Sequence, residues 1–225
     1  MKIKFGLLAL ASCLMLSVPT AHAVESTFDT GPDGWFVADW TNPDLSTSFN
    51  TYSVTWHSTG GNPNGHISAS DTTSGGWFWF AAPAKYFGNQ VAAFGTSLRY
   101  DISVNLSNGQ PGPIVMLTGA GQRLFFNGDS PSPALQSVVV PLLPIGWKLN
   151  DWQNGAMPTA GVMQSILSNL DGLYISGDWL NGIEVASLDN VSLVPEPTSS
   201  TLLLLGAISV GALFGKRATV SRELA

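Results

Sequence analysis

Residues 98–106 read Leu-Arg-Tyr-Asp-Ile-Ser-Val-Asn-Leu, so that apolar side chains at even positions alternate with polar or charged ones at odd positions. Successive side chains of a β-strand point to opposite faces of the sheet, which places the apolar residues together on one face. This pattern is typical of a strand with one face in a core and the other in water. It predicts a fold in which sheets are packed on one side.

Similar short runs recur through residues 24–194 and are separated by clusters of turn residues, such as Asn62-Pro63-Asn64-Gly65 and Asn127-Gly128-Asp129. Turn signals at short intervals are typical of an all-β sandwich. The predicted strands are Gly34–Trp40, Ser53–Ser58, Trp77–Ala81, Ser97–Leu106, Ile114–Thr118, Arg123–Phe126, Gln136–Pro141, Leu173–Gly177 and Ile183–Leu193.

One short helix is predicted within this β-structure. Thr159 is a suitable N-cap and Gly172 a suitable end, and the apolar residues between them fall at helical spacing. The helix should therefore pack over one end or edge of the sandwich. Its apolar face consists of Val162, Met163, Ile166, Leu167 and Leu170.

The first residues have the features of a secretory signal. Lys2 and Lys4 precede an apolar segment, residues 5–16, that is too short to span a bilayer. The small residues of Ala21-His22-Ala23 predict cleavage by signal peptidase after Ala23, so that residues 1–23 form the signal peptide.

Cys13 is the only cysteine, and it offers a second interpretation of this segment. Residues 10–13 have the residue types of a lipoprotein signal, although Cys13 lies inside the apolar segment. Cleavage after Ala23 leaves a mature chain without cysteine, so neither disulfide bonds nor thiolate chemistry are available to it. The domain must then be stabilised by its core, with or without a bound metal ion.

The C-terminal region predicts a single membrane span. Residues 198–215 form an apolar stretch that would make about 27 Å of helix at about 1.5 Å per residue, against a hydrocarbon core of about 30 Å. Lys216 and Arg217 follow the span, so the positive-inside rule places the short tail in the cytoplasm and residues 24–194 outside. The simplest interpretation is an ordinary anchor helix.

A more specific interpretation rests on Pro195-Glu196-Pro197, which stands directly before the span. A Pro-Glu-Pro motif, a span and a basic tail in this order resemble the sorting signal of PEP-CTERM proteins, here residues 195–225. The resemblance implies processing by an exosortase in a Gram-negative bacterium. The chain would be an inner-membrane intermediate and then reach the cell surface or the extracellular matrix.

Charge narrows the possible partners of the middle region. Residues 24–194 contain four basic and thirteen acidic residues, a net charge of −9. Such a surface repels nucleic acid and anionic lipid headgroups, and it suits solubility or divalent cations. We therefore expect one acidic domain, large enough to bury its own core, that does not bind nucleic acid.

Six short segments of this domain resemble the laminin B domain, also called laminin IV type A, and they occur in the order of that family. The resemblance covers roughly residues 26–193 and implies a jelly-roll sandwich similar to carbohydrate-binding modules and other galactose-binding-like domains, with no catalytic activity. The cysteine-rich modules that flank the animal members are absent here, so laminin polymerisation is not implied. The segments are 65–71, 77–83, 85–89, 97–101, 166–170 and 188–193.

Tryptophan residues are the candidates for ligand contact. Trp77 and Trp79 project from one face of a predicted strand and Phe78 and Phe80 from the other, so either one pair is exposed or both pairs are covered by packing. An exposed ring could stack on a sugar, with polar neighbours for the hydroxyls. We take Trp77, Trp79 and Trp152 as candidates for glycan stacking. The competing tryptophans are Trp40, Trp56, Trp147 and Trp179.

A structural calcium ion is expected from the same resemblance. In related jelly-roll modules the first and last strands lie side by side, and a carboxylate from each binds Ca²⁺ together with loop carbonyls. Asp29, at the start of the domain, and Asp189, at its end, are the matching residues. The alternative is that both are ordinary turn or edge residues.

Together these features predict an exported protein that binds or organises extracellular polysaccharide without catalysis. The first alternative is a structural matrix component without glycan affinity. The second is a glycan hydrolase or lyase, which needs two carboxylates across a cleft. Against an enzyme, the mature chain has only His57 and His66, lacks the Gly-x-Ser-x-Gly and His-Glu-x-x-His motifs, and places most acids in turns.

Overall fold

Two antiparallel β-sheets lie face to face in the computed structural model, which describes residues 23–40, 49–71 and 76–193. In chain order the elements are β1 (Val24–Ser26), β2 (Phe36–Trp40), β3 (Phe49–Ser53), β4 (Thr55–His57), β5 (His66–Ser70), β6 (Trp77–Ala81), β7 (Ser97–Val104), β8 (Gly112–Gly119), β9 (Gln122–Gly128), β10 (Gln136–Pro141), β11 (Trp147–Leu149), α1 (Ala160–Ser168), β12 (Leu170–Ser176) and β13 (Val185–Leu193). Two short 3₁₀ helices, Ala84–Tyr86 and Val91–Ala93, connect β6 to β7.

The strand order shows how the chain passes between the sheets. One sheet has the order β11-β9-β8-β12-β6-β2-β3, and the other has β10-β7-β13-β5-β4 with β1 paired to β13. Strands distant in sequence are therefore neighbours, as where β13 lies between β7 and β5. The described residues form an all-β jelly-roll sandwich with one α-helix, which confirms the predicted fold class.

The core lies between the two sheets and follows from strand alternation. On β6, Phe78 and Phe80 point inward and are fully buried. On β7, the predicted apolar face contributes Leu98, Tyr100 and Ile102 to the same core. A cysteine-free domain of this size can be stabilised by such a core alone.

A second apolar cluster covers the outer face of the seven-stranded sheet. Trp40 on β2, Trp79 on β6, Met116 on β8 and Phe125 on β9 are its largest buried members. Trp77, Trp152 and other partly buried residues pack against it. Both faces of this sheet therefore carry aromatic side chains, and the outer cluster is where a functional surface can form.

The helix begins as predicted but ends earlier. The Thr159 hydroxyl accepts a hydrogen bond from the N–H of Val162 at 3.2 Å, which confirms the cap. Helix α1 ends at Ser168, because Leu170 already pairs with β8 as the first residue of β12. The prediction that Gly172 ends the helix was wrong, since Gly172 lies within that strand.

No helix within the described part of the chain is long and apolar enough to cross a membrane. The predicted signal peptide up to residue 22, the span over 198–215 and the residues Pro195, Glu196 and Pro197 all lie outside the described residues. Ala23, the predicted cleavage position, is the first described residue and precedes β1.

Candidate functional site

A cleft of about 350 Å³ lies over the ends of three neighbouring strands of the seven-stranded sheet. Gly112 begins β8, Ser176 ends β12 and Trp77 begins β6, and all three line the cleft. Because β8, β12 and β6 are adjacent and antiparallel, these strand ends meet at one end of the sheet. The volume is at the lower end of the about 300–1,000 Å³ that is typical of small-molecule sites.

Two half-buried tryptophan rings form the apolar part of the cleft. Trp77 comes from β6 and Trp152 from the segment between β11 and α1, and their ring centroids are 5.2 Å apart with planes tilted by 53°. Both residues are predicted from the sequence to stack on a glycan, and the structure brings them together. Two rings at this angle form an aromatic corner, and both rings can contact an apolar surface of a ligand that lies in it.

Local hydrogen bonds hold Trp152 in position. The side-chain amide of Asn127 on β9 donates to the carbonyl of Trp152 at 2.8 Å. Asp151 accepts hydrogen bonds from the N–H groups of Gln153 at 2.8 Å and Asn154 at 3.0 Å, and these N–H groups lower the pKa of Asp151. The turn that carries Trp152 is thus tied to the sheet and to itself.

Side-chain amides supply the polar part of the cleft. Asn108, Gln110 and Asn181 line it, and all three are exposed. Asn108 Oδ1 accepts the N–H of Gln110 at 2.8 Å, and the N–H of Asn108 donates to the carbonyl of Trp179 at 3.0 Å, so two loops of the cleft wall are connected. An amide side chain can both donate and accept, which is what neutral hydroxyl-rich ligands require.

Trp79, the third residue proposed for stacking, has a different place. It is 0% exposed and belongs to the buried outer cluster, with its ring centroid 6.4 Å from that of Trp77. A ring without an exposed face cannot stack on a ligand. The prediction that Trp79 stacks on a glycan was therefore wrong, and Trp79 packs within the outer cluster. Alternation placed Trp77 and Trp79 on the same face correctly, but it did not show that Trp79 is covered by neighbouring side chains while Trp77 at the strand end stays partly exposed.

The competing tryptophans are mostly structural. Trp40, Trp147 and Trp179 are buried, and the indole N–H of Trp147 donates to the carbonyl of Pro141 at 2.8 Å. Trp56 on β4 is 37% exposed and lies in the other sheet, where its indole N–H donates to the carbonyl of Phe28 at 2.7 Å. Among these, Trp179 also lines the cleft.

Asp29 and Asp189, the predicted calcium ligands, both contact the loop before β5. The N–H of Asn62 donates to Asp189 Oδ2 at 2.6 Å, and the side-chain amide of Asn64 donates to Asp29 Oδ1 at 3.2 Å. Burial raises the pKa of Asp189, and the charges of Asp101 and Asp29 raise it further. The two residues are therefore near enough to interact electrostatically.

Both carboxylate oxygens of Asp189 accept hydrogen bonds from the protein itself. Its other oxygen, Oδ1, accepts the N–H of Asn190 at 2.8 Å. Each carboxylate oxygen of Asp189 thus has an N–H partner, so the hydrogen-bonding capacity of this group is met without a cation. Calcium at Asp29 and Asp189 stays a prediction.

A second acidic group, formed by Asp71, Asp178 and Glu184, was not predicted from the sequence. One carboxylate oxygen from each residue lies within 4.8 Å of the other two, although the residues are spread over more than a hundred positions. Asp178 also lines the cleft. A local pattern does not bring these residues together, because their proximity depends on the pairing of β5 with β13 and on the turn after β12.

Comparison with known families identifies the domain. A family model for laminin B (domain IV) matches residues 79–200, which is more than half of the 225-residue chain. The chain belongs to the laminin B (domain IV) family. This confirms the resemblance found in the sequence.

Several solved structures of other proteins are similar to this chain. The L4b domain of human laminin α-2 is similar with a TM-score of 0.56 at 13% identity, covering 76% of this chain and 96% of that domain. An exo-β-agarase is similar with a TM-score of 0.50 at 16% identity over 78% of this chain, which spans only 26% of the enzyme. The family 11 carbohydrate-binding module of a Clostridium thermocellum cellulosomal cellulase has a TM-score of 0.46 at 12% identity, covering 76% and 95% of the two chains.

Proposed function

We propose that this protein binds extracellular polysaccharide in the cleft beside Trp77 and Trp152 and does not cleave it. The observation that carries the proposal is the combination of two accessible tryptophan rings with exposed amide side chains in one cleft. Sugars present apolar C–H faces and a rim of hydroxyl groups. The rings would contact the former, and Asn108, Gln110 and Asn181 would hydrogen-bond the latter.

The expected affinity is modest. One aromatic corner and a few hydrogen bonds support dissociation constants from about micromolar to about millimolar, or about −8 to −4 kcal/mol. A polymer that presents many identical units to many copies of the protein would still retain it, because linked sites raise the apparent affinity. Carbohydrate-binding modules are among the proteins of similar fold, and the proposal extends their ligand class to this chain.

The glycosidase alternative finds little support in the acidic group beside the cleft. Paired carboxylates of glycosidases face a common substrate, at about 5–5.5 Å in retaining and about 6.5–9.5 Å in inverting enzymes. Asp178 lines the cleft, but Asp71 and Glu184 are buried, and one carboxylate oxygen from each of the three residues lies within 4.8 Å of the other two. This geometry leaves no room for a glycosidic bond between them.

The proposed function is tested with the purified protein and the polysaccharide of the bacterium that produces it. Calorimetry and co-sedimentation should show saturable binding, and a reducing-end assay on the same mixture should show no new ends. Protein that stays in the matrix without any such affinity would indicate a structural component instead. Release of reducing ends would indicate an enzyme.

We also propose export and sorting to the cell surface or extracellular matrix, with signal peptidase and an exosortase as processing partners. The laminin-type domain suits an extracellular location. In Pro195-Glu196-Pro197 the prolines remove hydrogen-bond donors and bias the preceding residues away from helix, so this segment would be extended and accessible to a protease.

The proposed cleavage at both ends of the chain predicts the mass of the mature protein. We expect the natively produced protein to lack residues 1–23 and the segment from Thr201 to the C-terminus, and intact-mass spectrometry measures both. Replacement of Pro195, Glu196 and Pro197 by alanine should leave the chain uncut in the membrane fraction. A secreted form that retains the complete C-terminal segment would contradict the sorting proposal without affecting glycan binding.

A further inference from the structure

The acidic group under the cleft wall is assembled by the sandwich itself. Asp71 directly follows β5, Asp178 follows β12, and Glu184 directly precedes β13. The N–H of Asp71 donates to the carbonyl of Glu184 at 3.1 Å, which continues the pairing between β5 and β13. The three carboxylates therefore converge from backbone that the two sheets hold in place.

Glu184 has an unusual environment for a carboxylate. Its side chain is 0% exposed, and Oε1 accepts the backbone N–H groups of Trp179 at 2.7 Å and Leu180 at 3.2 Å. The other oxygen, Oε2, is buried and has no hydrogen-bond partner among the described residues. A buried carboxylate oxygen without a partner is costly, so an additional positive group is expected next to it.

The close approach of three negatively charged side chains also favours a positive group at this place. Asp71 and Glu184 are buried and Asp178 is partly buried, so little water reaches the three carboxylates to screen their mutual repulsion. Three carboxylates this close to one another are not all ionised without compensation, and either a retained proton or a bound cation provides it.

We infer that Asp71, Asp178 and Glu184 form a binding site for a divalent cation, and that calcium is the ion. Calcium binds carboxylate oxygens at about 2.3–2.6 Å, so two ligands of one ion lie at most about 5.2 Å apart, and the spacing within 4.8 Å satisfies this limit. Magnesium demands near-octahedral geometry and keeps several waters, so it fits a cage of buried carboxylates less well. The site is distinct from Asp29 and Asp189.

The position of the ion would link it to the cleft. Asp178, Trp179 and Leu180 line the cleft, and the latter two donate their N–H groups to Glu184. An ion held by Asp178 and Glu184 would fix the segment between β12 and β13 in the conformation that forms this wall. This consequence rests on the proposed glycan binding, whereas the ion site itself does not.

The experiment measures the cation alone, without glycan. The purified protein is freed of metal with a chelator and titrated with CaCl₂ by calorimetry, and with TbCl₃ by luminescence excited through tryptophan. The backbone N–H of Trp179 donates to Glu184, so the Trp179 ring should sensitise terbium luminescence at this site. Calcium should displace the terbium ion. Extracellular calcium modules bind at about 10⁻⁴–10⁻³ M, and we expect an affinity in that range.

Two conservative variants locate the ion. Glu184→Gln keeps the shape and an acceptor for Trp179 and Leu180 but removes the charge, and we expect calcium binding to weaken at least about tenfold. Asp189→Asn is the matched control at the other acidic site and should keep the terbium signal. If Glu184→Gln fails to fold, Asp178→Asn takes its place, since Asp178 is only partly buried.

The outcomes separate the explanations. Loss of an ion in Glu184→Gln or Asp178→Asn that Asp189→Asn retains supports the site, also where Asp189→Asn removes a second ion. Absence of calcium binding at millimolar concentration overturns the proposal and indicates a shared proton. Binding that Asp189→Asn abolishes and Glu184→Gln leaves unchanged also overturns it. A confirmed ion in a protein without glycan affinity would contradict only the proposed function.

Discussion

Replacement of Trp152 by alanine is expected to weaken polysaccharide binding about thirtyfold. Truncation of an aromatic residue at the centre of a binding site costs about 2 kcal/mol, and 1.4 kcal/mol corresponds to a factor of ten in the dissociation constant. Trp152 is the better choice than Trp77, because it lies in a turn and only packs against the outer cluster. Its removal should therefore leave the fold intact, which thermal unfolding of the variant checks.

Trp56→Ala is the matched control for this experiment. Trp56 is also partly exposed, but it belongs to β4 in the other sheet and does not line the cleft. Calorimetric titration of both variants with the same polysaccharide should show loss in Trp152→Ala only. Equal affinity in parent and Trp152→Ala would exclude this cleft, and loss in Trp56→Ala would move the site to the six-stranded sheet.

Strand alternation was the part of the fold that the sequence predicted best. The predicted bounds of β6 and β10 agree with the structure, and the apolar face of β7 lies in the core as expected. These strands are rich in β-branched or aromatic residues. Alternation within a strand is a local property, so it can be recognised without knowledge of the neighbouring strands.

Strands that are defined by pairing with segments distant in sequence were predicted less well. The single strand expected over Ser53–Ser58 is divided, because β3 pairs with β2 in one sheet and β4 pairs with β5 in the other. The chain changes sheets at Val54. Strands β1, β5 and β11 were not predicted, since they are short or rich in serine and alanine and are defined by their partners.

The candidate site shows the same division. Trp77 and Trp152 could be named from residue type, because exposed aromatic residues are recurrent ligand contacts. Their contact with each other depends on the fold, since 75 positions separate them. The group around Glu184 had no local signal at all. Burial decides its chemistry, and burial of a single glutamate is not visible in a sequence.

Replacement of Trp79 by alanine is expected to lower the free energy of unfolding by about 3–5 kcal/mol. Trp79 is fully buried in the outer cluster, and large-to-small substitutions of buried aromatic residues leave a cavity that the surroundings fill only in part. For a domain of this size each 1 kcal/mol lowers the melting temperature by roughly 2–4 °C, so a decrease of roughly 6–20 °C should be measured. Met157→Ala, at a 63% exposed position, is the control and should change stability by less than about 0.5 kcal/mol.

Trp79→Phe distinguishes the packing of the ring from the bonding of its indole N–H. The Nε1 atom of Trp79 is buried without a hydrogen-bond partner in the part of the chain that the structure describes. Phenylalanine keeps much of the aromatic volume and removes this unpaired donor, so the loss of stability should be clearly smaller than in Trp79→Ala. Equal losses of stability in both variants would contradict this expectation. The indole N–H would then form a hydrogen bond that stabilises the fold as much as the packing that phenylalanine retains.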